Sequence, residues 1–107
     1  MKLLQVRAVA VIAAFICVFV TTGHADDNTA ALYKTKCQAC HGADGTGNTP
    51  AGKKVGAKDF HAPDVAKLSD SELFDITKKG KDKMPAYDKK LTDAQIRDLV
   101  KYIRCLK

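Results

Sequence analysis

From Ile96 onward, apolar side chains fall at Ile96, Leu99, Val100, Ile103 and Leu106, a spacing that gathers them on one face of a helix. The residues just before mark where that helix starts. Thr92 can cap its first turn and Gln95 can reach back to the cap, while Leu91 and Ile96 occupy the two positions of a hydrophobic staple. The same device recurs upstream, with Ser69 and Glu72 as the capping box and Leu68 and Leu73 as the staple. The helix it opens should run to about Lys79 and stop at Gly80. A first helix is predicted from Asp27 or Asn28 through Leu32, Tyr33, Lys36, Cys37 and Cys40. Between residues 42 and 63 the periodicity dissolves. Gly42, Gly45, Gly47, Gly52, Gly56, Pro50 and Pro63 predict a long loop, with a short helical turn after Pro63. Nothing alternates with period two for long enough to predict a strand. The expected fold class is all-α: three main helices plus a short helical turn, joined by loops long enough to wrap around something.

The N-terminus follows a different pattern. Lys2 and Arg7 precede a run from Ala8 to Val20 with no charged or polar side chain, then Thr21, Thr22 and the small-residue exit Gly23-His24-Ala25. Charged, apolar, then small is the order of a secretory signal peptide, and the apolar run falls short of the roughly 20 residues a membrane helix needs. An acylated Cys17 is disfavoured because Ile16, directly before it, is not small. The expected organisation is a signal peptide over residues 1–25 and one domain over residues 26–107, exported to the periplasm; a compartment like the thylakoid lumen is the less favoured destination. No stable membrane insertion is expected after cleavage.

Removing the leader leaves 82 of the 107 residues, with no Trp, two Phe, three Tyr and one Met. That excludes a dinucleotide-binding α/β domain, a repeat array or a second domain. A chain of this size buries only about two-thirds of its surface and often needs a staple. Something besides side chains should fill the core.

Cys37-Gln38-Ala39-Cys40-His41 supplies that candidate. In an exported chain, Cys-x-x-Cys-His reads as the covalent attachment site of a c-type haem. Two residues between cysteines at a helix end put both sulfurs on one side, where they can form thioethers with one porphyrin. The adjacent His41 then serves as proximal iron ligand. Zinc is a weaker reading, because only Cys105 and His61 remain as further ligands and neither belongs to a second knuckle. A thioredoxin-like pair would want a βαβ pattern, and a Cys37–Cys40 disulfide would close too small a loop to stabilise much. For the other face of the iron, Met84 is the candidate. It stands in Lys83-Met84-Pro85-Ala86-Tyr87, between the two capped helices, and Pro85 biases it toward extended backbone. His61, beside Phe60, is the runner-up and reads better as a solvent-facing histidine.

Taken together, Cys37–His41, the Lys-Met-Pro-x-Tyr element and a terminal helix carrying Leu99-Val100-Lys101-Tyr102-Ile103 resemble the class I c-type cytochromes, small bacterial monohaem electron carriers. The resemblance covers nearly all of residues 26–107. It implies a class I cytochrome c fold wrapped around one covalently bound haem c, with the first and last helices crossing near it. Tyr33 would take the aromatic position on the first helix, and Leu99 and Tyr102 the facing positions on the last. It also implies a loop proline whose neighbouring carbonyl accepts the proximal histidine N–H, for which Pro50 is the candidate.

With His41 and Met84 on the iron, no coordination site stays open. The expected activity is therefore reversible one-electron transfer between larger redox complexes and not catalysis. The competing reading is a haem enzyme or gas sensor with an open or labile sixth position; no further His, Arg or acidic cluster supports peroxide chemistry. The formal charge is +6, or +4 after leader removal, and residues 78–90 (KKGKDKMPAYDKK) alone carry +4. That places a basic surface beside Met84, suited to redox partner proteins with an acidic docking face. Nucleic acid is not an expected partner. Cys105 falls between Asp98 and Lys101 on a helical wheel, opposite the apolar stripe, and is expected to be exposed. A monomer is expected, with a disulfide dimer through Cys105 as the alternative.

Overall fold

The computed structural model describes residues 24–106; the leader predicted over residues 1–25 lies, apart from its last two residues, outside them. Six helices follow in order: α1 (His24–Lys36), α2 (Gln38–His41), α3 (Pro50–Val55), α4 (Pro63–Ala66), α5 (Asp70–Lys79) and α6 (Asp93–Arg104). Among the described residues there is no strand, only an isolated bridge between Lys81 and Met84. The fold is all-α, as the periodicity predicts.

Both capping boxes form. In α5 the Ser69 hydroxyl accepts from the Glu72 N–H while the Glu72 carboxylate accepts from the Ser69 N–H. In α6 Thr92 and Gln95 make the same reciprocal pair. The staples close as well: Leu91 and Ile96 share one buried cluster, and Leu68 packs on the cluster that holds Leu73. α5 stops at Gly80, as expected.

α1 is already helical at His24, ahead of the expected start at Asp27 or Asn28. Its buried positions, Thr29 and Tyr33, lie one turn apart and lead to Cys37 one turn further on. There the helix breaks. Cys37 takes φ −122° and becomes the residue that caps α2, so the expected continuous helix through Cys40 is two helices with a joint at the first cysteine.

The second correction lies in the glycine-rich stretch. It is not all loop, because α3 forms within it, opened by Thr49 and Pro50 and closed at Gly56. Thr49 Oγ1 accepts from the Gly52 N–H as an ordinary N-cap does. The turn predicted after Pro63 is α4.

Among the described residues the core is small and falls into two adjoining clusters. One cluster holds Tyr33, Leu91, Ile96 and Leu99; another holds Val65, Leu73 and Val100; Phe60, Phe74 and Ile103 pack against both. α6 is thus packed between α1 and α5. Cys105, expected on the exposed side of α6, is half-buried and sits at its C-cap, where the helix ends and wheel geometry no longer applies. Arg104 clasps the neighbouring linker: its guanidinium pairs with Asp70 at 2.9 Å and donates to the Ala66 and Leu68 carbonyls.

Candidate functional site

The joint at Cys37 is what brings the two cysteines and the histidine together. With the α1 ladder broken, the Cys37 carbonyl accepts from both the Cys40 and the His41 N–H, at 3.2 and 3.0 Å. This winds α2 tightly and keeps Cys37, Cys40 and His41 on one wall of a cavity of about 340 Å³. The other walls are mostly apolar, including Phe60 and Val65 from the α3–α5 region, Leu73 from α5, and Leu99, Val100 and Ile103 from α6.

Cys37 and Cys40 are both free thiols, so the disulfide alternative is not formed. Burial, and then the neighbouring Cys40, push the Cys37 thiol up to about 11. Among the described residues, no three His, Cys, Asp or Glu side chains gather as a metal-binding group, which disfavours the zinc reading.

His41 is held on one face and at one nitrogen. Its ring stacks on Phe60 with centroids 4.4 Å apart. Nδ1 lies 3.1 Å from the Lys58 carbonyl, and since a carbonyl only accepts, Nδ1 carries the proton. The neutral imidazole, favoured by burial that lowers its pKa, therefore keeps an unprotonated Nε2 as its donor atom. The acceptor expected near Pro50 is instead Lys58. Pro50 is committed to the first turn of α3, where its fixed φ suits helix entry.

The elements around this wall lock it from behind. Tyr33, only 1% exposed, donates its hydroxyl to the Gly42 carbonyl at 2.6 Å, directly after His41, and its ring lies 5.2 Å from that of Tyr102. Thr49 donates to the Ala39 carbonyl at 2.7 Å. α3, the helix absent from the sequence expectation, thus rests directly on the cysteine turn.

Met84 lines the same cavity from a strap between α5 and α6. Paired hydrogen bonds between Lys81 and Met84, at 3.0 and 2.9 Å, fold the strap into a tight two-residue turn in which Asp82 has φ 55°. Its outgoing arm is pinned to the end of α5, where Tyr87 N–H donates to the Thr77 carbonyl and Asp88 N–H to the Lys78 carbonyl. Met84 is half-buried. His61 is exposed and is not among the cavity residues; its Nε2–H donates to the Asp44 carbonyl at 2.8 Å. The structure thus brings together Cys37, Cys40, His41 and Met84, and leaves out the runner-up.

The charged side chains that line it, Lys36, Lys58, Lys81 and Lys83 against Asp64 and Asp82, are all exposed. Two thiols, one imidazole with a free ring nitrogen and one thioether, in an otherwise apolar chamber, are a donor set that fits a covalently attached haem. Sequence reasoning missed Phe60, Lys58 and Thr49 as supports of this wall. Phe60 beside a histidine gave a weak hint, but the other two act through backbone or short polar contacts that carry no local signature.

The chain is similar to known c-type cytochromes. Residues 24–103 match the family model described as cytochrome c oxidase, cbb3-type, subunit III. Among solved structures the chain is similar to one titled KustC0563 c-type cytochrome, at 32% identity and TM-score 0.65, covering 71% of this chain and 93% of that one. A tyrosine-to-phenylalanine mutant of the same protein gives 31% identity and TM-score 0.66, covering 74% and 98%. No curated protein matches the chain.

Proposed function

The chain belongs to the cytochrome c family whose model it matches, with a covalently attached haem c as its cofactor, and from that premise we propose a periplasmic electron carrier ligated by His41 and Met84. Cys37 and Cys40 would form the thioethers. The observation that carries this reading is that Met84, 43 residues beyond His41, lines the same apolar cavity as the attachment motif while His61 does not. Among the described residues no helix is long and apolar enough to cross a membrane.

When bound, the haem would supply a one-electron iron couple, and holding it with the Met84 thioether as well as the His41 imidazole would raise its potential. The protein's own residues do the rest. The Lys58 carbonyl fixes the His41 tautomer so that Nε2 is free to bind, and the hydrogen bond it accepts from Nδ1–H raises the basicity of Nε2. Apolar side chains of α4, α5 and α6 line the chamber and would exclude water from the bound haem. With His41 and Met84 both holding the haem, no site would be left for a substrate, which supports carriage of electrons over catalysis.

The lysines of residues 78–90 are exposed apart from the half-buried Lys78, which pairs with Asp93 at 3.1 Å. Lys36 and Lys58 extend this basic rim around the cavity mouth. A redox partner with an acidic surface is the complementary docking face.

The ligand assignment is tested by visible and near-infrared spectra of the purified protein in both oxidation states. Met84→Ala should lose the thioether-to-iron charge-transfer band and bind carbon monoxide when reduced, whereas the wild type resists it. A wild type that takes up carbon monoxide at once would support an enzyme or gas sensor instead.

A further inference from the structure

The break in α1 leaves a carbonyl in need of a donor, and the strap supplies one. In an unbroken helix the Lys36 carbonyl would accept from the Cys40 N–H, but that N–H turns to Cys37. The Tyr87 hydroxyl donates to Lys36 instead, at 2.9 Å and across 51 residues of sequence. The same residue donates its N–H to Thr77 at the end of α5, and its carbonyl accepts from Lys90 and Leu91 ahead of α6. Its ring is half-buried against the cluster of Tyr33, Leu91, Ile96 and Leu99 and lines the cavity. Tyr87 therefore ties the Met84 strap, three residues away, to the residue that precedes the first cysteine.

We propose that Tyr87 is a positioning residue that holds Met84 on the site by fastening its strap to the cysteine joint. This rests on Met84 being the sixth ligand. Among the described residues the strap's other hydrogen bonds lead only to α5 or stay within the strap itself; the Tyr87 hydroxyl alone makes a side-chain hydrogen bond from it to the cysteine-bearing wall. Removing it loosens the strap's hold on that wall while the apolar contacts of the ring stay in place.

The test compares holoprotein Tyr87→Phe with Ser69→Ala, which weakens a helix cap on α5 and touches nothing on the strap. A neutral hydrogen bond and an N-cap each contribute on the order of 1 kcal/mol, so both variants should lose a similar few degrees of thermal midpoint. Carbon monoxide affinity of the reduced protein should rise roughly fivefold in Tyr87→Phe, following that same free energy, and stay unchanged in Ser69→Ala. Equal affinity in Tyr87→Phe and wild type, with the Met84 band intact, overturns this inference alone. Equal gains in both variants overturn it too, since general loosening would then suffice. A Met84→Ala protein spectrally identical to wild type overturns the ligand assignment, and this inference with it. Should Tyr87→Phe fail to accumulate, the wild type still decides: a slowly exchanging Tyr87 hydroxyl proton in its NMR spectrum supports the tie, and a rapidly exchanging one overturns it.

Discussion

Gly80 adopts φ 79° and ψ 166°, a region that only glycine enters without strain. A Cβ there would also stand 2.8 Å from the Met84 carbonyl and 2.9 Å from the Ala86 N, both backbone atoms that cannot swing aside. Gly80→Ala should therefore displace the strap, lowering the thermal midpoint by several degrees and weakening the Met84 band more than an equally destabilising change in α6. Gly52 is constrained differently. Its φ is ordinary, but a Cβ would collide with the Cys40 carbonyl and come 2.5 Å from that of Gly47. This is why a glycine sits inside α3. Gly52→Ala should lower the yield of holoprotein, read from absorbance per mole of chain, because it pushes α3 off the cysteine turn. Neither role could be read from sequence, where both residues look like ordinary turn formers; the close approach exists only once the elements are packed.

At the scale of elements, legibility followed the physics of helix ends. The boxes at Ser69 and Thr92 are satisfied within four residues, so the sequence that encodes them is local and complete. α3 has equally local signals in Thr49, Pro50 and Gly56, but they were hidden among glycines placed for tertiary reasons. The cysteine turn was legible as chemistry and not as shape, since the joint at Cys37 depends on its carbonyl taking two donors. Likewise the His41 acceptor, Lys58, contributes a backbone oxygen that any residue could offer. The α5 box also carries a pH signature. The N–H and hydroxyl of Ser69 hold the Glu72 carboxyl below its usual 4.5, so this stabilisation is fully present above that pH and fades as pH falls through the lowered value. Glu72→Gln keeps an accepting oxygen but no charge. Its thermal midpoint should lie below that of wild type at neutral pH, and the gap should narrow in acid; a constant gap would show that the charge contributes nothing.

The charge of the whole molecule is uneven in a way that a single rate can read. The excess carried by residues 78–90 equals the full excess outside the leader, and it surrounds the strap. Electron transfer with an acidic partner should slow as salt rises, and Lys81→Glu with Lys83→Glu should lower the low-salt association rate by roughly tenfold while converging on wild type in high salt. The core makes a further demand. Val65, Leu73, Leu91, Leu99 and Val100 are five of the few well-buried apolar residues among those described, and all of them also line the cavity. The walls of the site and the hydrophobic core are thus one set of side chains, packed on one side by protein and on the other by whatever fills the chamber. A protein without its cofactor keeps the caps, the staples and the α1–α6 contact through Tyr33 and Ile96, but loses the packing partner of those five residues. Cys37→Ser with Cys40→Ser, made without haem, should retain much of its far-ultraviolet helical signal, lose near-ultraviolet tyrosine order, and melt without a cooperative transition. A sharp melt close to that of the holoprotein would mean that side chains alone close this core, and that the haem adds chemistry to a fold already complete without it.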